Sequence, residues 1–189
     1  MKIHWEISRR ELPQFMPPEV LMQLITHLDS LPVHIRRMVI LLLTSGISLS
    51  KLCSLPFDCL VRHPQEVWFL GFDKSKTPIE YTIPLSPIAL ATILDQQLAL
   101  EQDHHGETNL LFLNAKGQGI SPKTFMTQLN RLAVDKNICD ASGKVWRFQS
   151  HQFPYTLAAQ MIKDDVPFWA LRRQLGHRAD NVMHRYFHL

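Results

Sequence analysis

Cysteine is scarce in this sequence of 189 residues: Cys53, Cys59 and Cys139 make an odd number, with no C-x-x-C pair. That argues against both a disulfide framework and a cysteine-rich zinc site. Long apolar runs are missing too. The longest, Met38 to Leu43, is far too short to cross a bilayer, and the N-terminus carries no secretory apolar region. Internal repeats and low-complexity stretches are absent. Neither sign of charge dominates, with 20 Lys and Arg against 17 Asp and Glu and a formal net charge of +3. What is present is an ordinary globular mix, 46% hydrophobic and 20% charged, which buries enough apolar surface to offset its ordering entropy. A soluble, cytoplasmic, single-domain protein is expected. The small basic excess and the ten histidines are compatible with a polyanionic partner.

The hydrophobic periodicity is mostly helical. Pro17-Pro18 precedes a stripe of Val20, Leu21, Leu24, Ile25 and Leu28. Leu31-Pro32 ends that helix, and a second one, Val33 to about Thr44, is apolar almost all round and should lie at the centre of the core. Thr44-Ser45-Gly46 is a break, followed by a short helix from Ser48 to Leu55 that Pro56 terminates. The texture then turns to β: Val67 to Leu70 and Ile79 to Leu85 are joined by the polar tip of residues 73–78, a hairpin pattern. Helical spacing returns from Pro87 to about Gln102. Asp103 to Glu107 is a loop, Leu110 to Asn114 an extended piece and Gly117-Gln118-Gly119 a turn. Ser121-Pro122 supplies a cap and a first-turn proline for a helix to about Val134. Three more helices are expected at His151 to Lys163, Pro167 to Leu175 and Asn181 to the end. The expected fold class is α+β, mainly helical, with a small antiparallel sheet.

Four segments carry a resemblance. Leu175-Gly176-His177 with Tyr186 nine positions after the histidine resembles the LGH…Y ending of the tyrosine recombinases, the phage-integrase family. Ser150-His151-Gln152-Phe153-Pro154-Tyr155-Thr156 resembles that family's H-x-L-R-H-T box. Leu43 to Leu52 resembles its T-G-x-R-x-x-E-L box, and the hairpin ending Thr82-Ile83-Pro84-Leu85 resembles the strand pair that carries its lysine. The four fall in the family's order and cover residues 17 to 189.

The resemblance implies DNA breakage and rejoining, in integration or recombination of a mobile element, with no metal and no cofactor. A tyrosine hydroxyl attacks a backbone phosphate to form a phosphotyrosyl link. The transition state gathers negative charge, so catalysis needs a preorganised cationic cradle and a proton donor for the leaving oxygen. Arginine pairs suit the cradle because a guanidinium fork matches two oxygens and keeps its charge. By resemblance Tyr186 is the nucleophile, His151 and His177 are cradle histidines, and Lys76 is the proton donor with Lys74 as the alternative. The arginines are missing. Ser48 and Pro154 occupy their positions, Lys51 replaces the acidic residue after the first arginine, and Tyr155 replaces the second histidine of its box. Losing one transition-state donor costs about 10²–10³ in rate, so strand cleavage should be very weak or absent. Arg147, Arg172, Arg173 and Arg178 lie near the boxes in sequence and are the candidates to substitute, or to contact DNA.

About sixteen residues precede the first helix, so residues 1–16 read as an extension and 17–189 as the catalytic domain, without the family's N-terminal clamp domain. The implied partner is double-stranded DNA, with an intact recombinase or a second copy of the chain as further candidates, and no membrane. A non-catalytic DNA-binding or assembly partner of an intact recombinase, or a truncated remnant, is the alternative. His184 and His188 share a helical face but lack a third ligand, so solvated histidines are expected. His104 and His105 read as solvated loop residues. The doublets Arg36-Arg37 and Arg172-Arg173 fit a salt-bridged surface as well as a phosphate contact. Trp68, Phe69 and Trp169 read as core residues.

Overall fold

A computed structural model of the chain describes residues 15–63, 67–72, 82–103 and 109–175. In chain order these residues form α1 (Pro18–Thr26), a 3₁₀ turn (Leu28–Ser30), α2 (Val33–Ser45) and α3 (Leu49–Cys53). Strands β1 (Leu60–Arg62), β2 (Trp68–Gly71) and β3 (Thr82–Pro84) follow, then α4 (Pro87–Gln102), α5 (Pro122–Asp135), α6 (Gln152–Lys163) and α7 (Phe168–Leu175).

Local chemistry explains most of the boundaries. Proline sits in the first turn of α1, α4 and α5, where its missing N–H breaks no helical bond. The Ser86 hydroxyl accepts from the Ala89 N–H at 3.3 Å and the Ser121 hydroxyl from Thr124 at 3.1 Å, capping α4 and α5 as their sequences predict. Gly46 ends α2 in the left-handed region at φ 70°, ψ 8°. The hydroxyl of Ser45 then accepts the Ile47 N–H at 3.3 Å while donating to Leu41 O at 2.6 Å, which fixes the turn into α3.

The core is built around α2, whose Ile35, Met38, Val39, Leu41 and Leu42 are buried and which packs against α4 and α6. Phe125 of α5 and Phe153 of α6 meet edge to face, with centroids 6.2 Å apart. The three strands form one antiparallel sheet in the order β1-β2-β3, with Leu60 opposite Leu70 and Leu70 opposite Ile83. Side-chain amides stitch extended segments to helices as a neighbouring strand would. Gln23 donates to Cys139 O at 2.8 Å and accepts from Cys139 N at 3.1 Å; Asn130 does the same for Phe148 at 3.2 and 2.8 Å.

Several expectations need correction. β1 was not expected from Leu60-Val61-Arg62, a run of three residues too short for alternation to register. The third helix runs from Leu49 to Cys53 with Ser48 as its N-cap, shorter than the expected span to Leu55. Ile25 is 48% exposed, off the buried Val20–Leu24 stripe. Trp169 is 67% exposed, whereas Phe69 is buried and Trp68 half-buried. Helix α7 turns Leu171 inward, and two positions earlier on a helix faces nearly the opposite way. Arg36 forms a salt bridge with Asp29, and Arg37 donates to Gln96 at 2.9 Å, which accounts for that doublet. The hairpin tip, most of the 103–107 loop including His104 and His105, and the helix from Asn181 lie outside the described residues. No described helix is long and apolar enough to cross a membrane.

Candidate functional site

The turn after Gly46, the start of α6, β3 and the end of α7 surround an open cavity of about 450 Å³. Ser48, Lys51, His151, Pro154 and Tyr155 all line it, together with Ile83 and Leu175. Two motifs a hundred residues apart therefore contribute to one site.

Each position has a local cause. Ser48 is the N-cap of α3, exposed, with its hydroxyl 3.4 Å from that of Ser50. Lys51 follows on the same short helix, and its ammonium lies 4.8 Å from the centroid of the Phe72 ring, within cation–π range. His151 stands at the N-cap of α6 with φ −72° and ψ −17°. Tyr155 sits one turn on, and the two rings meet edge to face at 5.8 Å and 70°. Pro154 is the third residue of α6, in the turn whose N–H groups have no helical acceptor, so the helix tolerates it.

α7 closes the cavity. Its Gln174 amide donates to Ser45 O at 3.0 Å and to Pro84 O at 3.3 Å, tying α7 to the end of α2 and to β3. Sequence reasoning missed this residue. Its signal was a polar side chain three positions after Leu171, on the buried stripe of an amphipathic helix.

The other expected residues are elsewhere. Arg173 places its guanidinium over the Phe69 ring at 5.2 Å, and Arg172 lies half-buried on α7. Arg147 lines a second open hollow, about 580 Å³, with Lys123, Asn130 and Trp146. None of these three arginines is among the described residues lining the first cavity. Tyr186, His177, Arg178, Lys74 and Lys76 lie outside the described residues. Burial pushes the thiols of Cys53 and Cys59 up to about 11 and about 12, so neither offers a thiolate near neutral pH. Among the described residues no group of three or more His, Cys, Asp or Glu could hold a metal ion.

As it stands, the described part of the cavity can donate hydrogen bonds from hydroxyls, from the His151 imidazole and from one ammonium. It presents no guanidinium fork.

Transposase B from transposon Tn554 of Staphylococcus aureus (strain Mu50) is 31% identical over 180 residues, covering 95% of this chain and 28% of that protein. The XerA recombinase structure superposes with a TM-score of 0.71 at 16% identity, covering 95% of this chain and 62% of that one. XerH site-specific recombinase bound to its difH substrate gives a TM-score of 0.71 at 16% identity, covering 95% and 51%. The chain thus spans a little over a quarter of the transposase and between half and two thirds of the two solved recombinases. Residues 14–189 match the phage integrase family, to which this protein therefore belongs.

Proposed function

We propose that this domain binds duplex DNA as tyrosine recombinases do, and that its own strand cleavage is crippled. The observation that carries the reading is the cavity itself: positions from both arginine-bearing boxes converge on it, and they hold Ser48 and Pro154. A hydroxyl supplies one neutral hydrogen bond and a proline side chain none, where the chemistry calls for two charged forks on developing negative charge. Tyr186 remains the proposed nucleophile, His151 and His177 the proposed cradle histidines, and Lys76, or Lys74, the proposed proton donor. The DNA partner is supported by family membership and by the recombinase–DNA complex among the fold's neighbours.

The test is covalent trapping on a nicked duplex that releases its short strand after cleavage, read on a denaturing gel. The wild-type chain is expected to give no adduct, and the double variant S48R/P154R to gain a Tyr186-dependent one. A Tyr186-dependent adduct from the wild-type chain at rates ordinary for the family would overturn the reading. Retained DNA binding without any adduct in either protein selects the non-catalytic role, a DNA-binding or assembly partner of an intact recombinase.

A further inference from the structure

We infer that Gln152 is the positioning residue of His151: its buried side-chain oxygen locks the turn that holds the imidazole at the wall of the cavity. The inference deepens the DNA-binding reading above and rests on it for its functional meaning.

The start of α6 lacks an ordinary cap. His151 takes the N-cap place with nearly helical dihedrals, φ −72° and ψ −17°, and its side chain makes no capping bond. N-cap residues usually sit in the β region and close the first turn with a side-chain oxygen. Gln152 closes it from the other side. Its Oε1 accepts the Gln149 N–H at 3.0 Å, while its own N–H donates to Gln149 O at 3.1 Å. A Gln or Glu reaching back to the N–H three residues earlier is half of a capping box. Gln149 and Gln152 are thus bonded to each other twice, with Ser150 and His151 held between them. Those two are exposed and line the cavity, whereas Gln152 is 1% exposed.

The neighbours of the amide fix its orientation. The Trp146 indole Nε1–H donates to the same Oε1 at 3.4 Å. Both contacts come from N–H groups, so the oxygen of the amide faces them and its nitrogen does not.

The flanks of the turn are anchored independently. The Asn130 side chain accepts from Phe148 N at 2.8 Å and donates to Phe148 O at 3.2 Å. Past the turn, Gln152 O accepts from the Thr156 hydroxyl at 2.8 Å, and that hydroxyl accepts from Met16 N at 2.9 Å. With both ends fixed to the body of the domain, the bond between Gln149 N and Gln152 Oε1 decides where the exposed pair stands. Without that oxygen two N–H groups lose their acceptor, and the turn opens to hydrate them. A side chain that works at a site is placed by the buried group beneath it.

The experiment is NMR of the full chain labelled at histidine, at about pH 9, where an imidazole of ordinary pKa is neutral. The sequence has ten histidines, and loss of one set of signals in H151N identifies those of His151. The His151 ring meets the Tyr155 ring edge to face at 5.8 Å, so its signals should be displaced from those of the denatured chain. Gln152→Met keeps the approximate size, removes the acceptor and should lose most of that displacement, while the signals of His34 in α2 stay in place. Gln152→Glu keeps an oxygen that accepts from Gln149 N and should keep the wild-type displacement. A loss of stability alone lowers the folded fraction without moving the signals of the folded chain. Rescue by glutamate is therefore the outcome that a merely structural role would not give. Thermal melts show which variants fold. If the methionine variant does not, Gln152→Asn takes its place, since its oxygen stops one C–C bond short of Gln149 N.

Unmoved His151 signals in the methionine or asparagine variant overturn the assignment. So does a displacement lost equally in the glutamate variant, which would leave side-chain shape as the cause. Adding a generic duplex separates this assignment from the reading beneath it. The His151 signals should move on binding in wild type and not in the methionine variant; equal movement in both overturns the assignment. A duplex that leaves them unmoved in wild type brings down the DNA-binding reading of the cavity, and the functional role of Gln152 with it.

Discussion

The side-chain amide of Gln174 donates a hydrogen bond of 3.0 Å to the carbonyl oxygen of Ser45, 129 residues earlier in the chain. The same nitrogen reaches Pro84 O at 3.3 Å. One amide thus joins the last residue of α2, the last residue of β3 and the helix that leads into the His177–Tyr186 segment. Ser45 is fully buried, so little water is at hand to replace the donor.

Gln174→Leu keeps the approximate size and removes the donor. It should lower stability by about 1–3 kcal/mol, the cost of leaving buried acceptors unsatisfied. Gln174→Glu should be worse, because a carboxylate would face two carbonyl oxygens. Urea denaturation of the three proteins measures this. A leucine variant within about 0.5 kcal/mol of wild type, the scatter of ordinary surface substitutions, would show that the bridge is incidental.

Gly46 and Gly117 share a backbone conformation, with φ of 70° and 71°, but not surroundings. A Cβ on Gly46 would stand 3.0 Å from the Leu175 side chain and 3.1 Å from that of Leu157; one on Gly117 would meet nothing within 4 Å. Gly117→Ala should therefore lose about 1–2 kcal/mol, the strain of a left-handed L-residue alone. Gly46→Ala should lose that plus about 1–3 kcal/mol of overpacking where α7 rests on the turn. Equal losses in paired unfolding curves would mean that α7 yields freely at this contact.

How far the sequence could be read follows the range of the interactions. Caps and proline starts are settled within four residues, so the openings of α4 and α5 at Ser86-Pro87 and Ser121-Pro122 are visible in the chain itself. The break at Ser45-Gly46 is equally local. The meeting of Ser48 and Lys51 with His151, Pro154 and Tyr155 is not, because nothing within either segment specifies the other. Only the resemblance of ordered boxes brought them together. Trp169 was misread because its neighbours in sequence are apolar, while its place on α7 is set by the helix turn that buries Leu171. The bridging amides left a signal of another kind. Gln23 follows Val20 by three, Gln96 follows Ile93 by three and Gln174 follows Leu171 by three, each a polar residue in a slot of an apolar stripe. In all three the amide reaches a backbone carbonyl in another part of the chain, at Cys139, Leu111 or Ser45.

His34 supplies the pH dependence. Burial in α2, and then the neighbouring Arg37 guanidinium, hold its pKa below the usual 6.5. Both causes disfavour the imidazolium in the folded chain, whereas the unfolded chain protonates near the ordinary value. The unfolded state therefore binds more protons as the medium becomes acidic, and stability falls with pH. Its contribution is intact above 6.5 and is lost progressively as pH drops through the folded value. Melting temperatures of wild type and His34→Gln between pH 8 and pH 5 test this. The two curves should differ by a constant above pH 7 and converge below it, since glutamine has no proton to take up. Parallel curves over the whole range would mean that His34 titrates alike in both states, leaving the acid sensitivity of the fold to other groups.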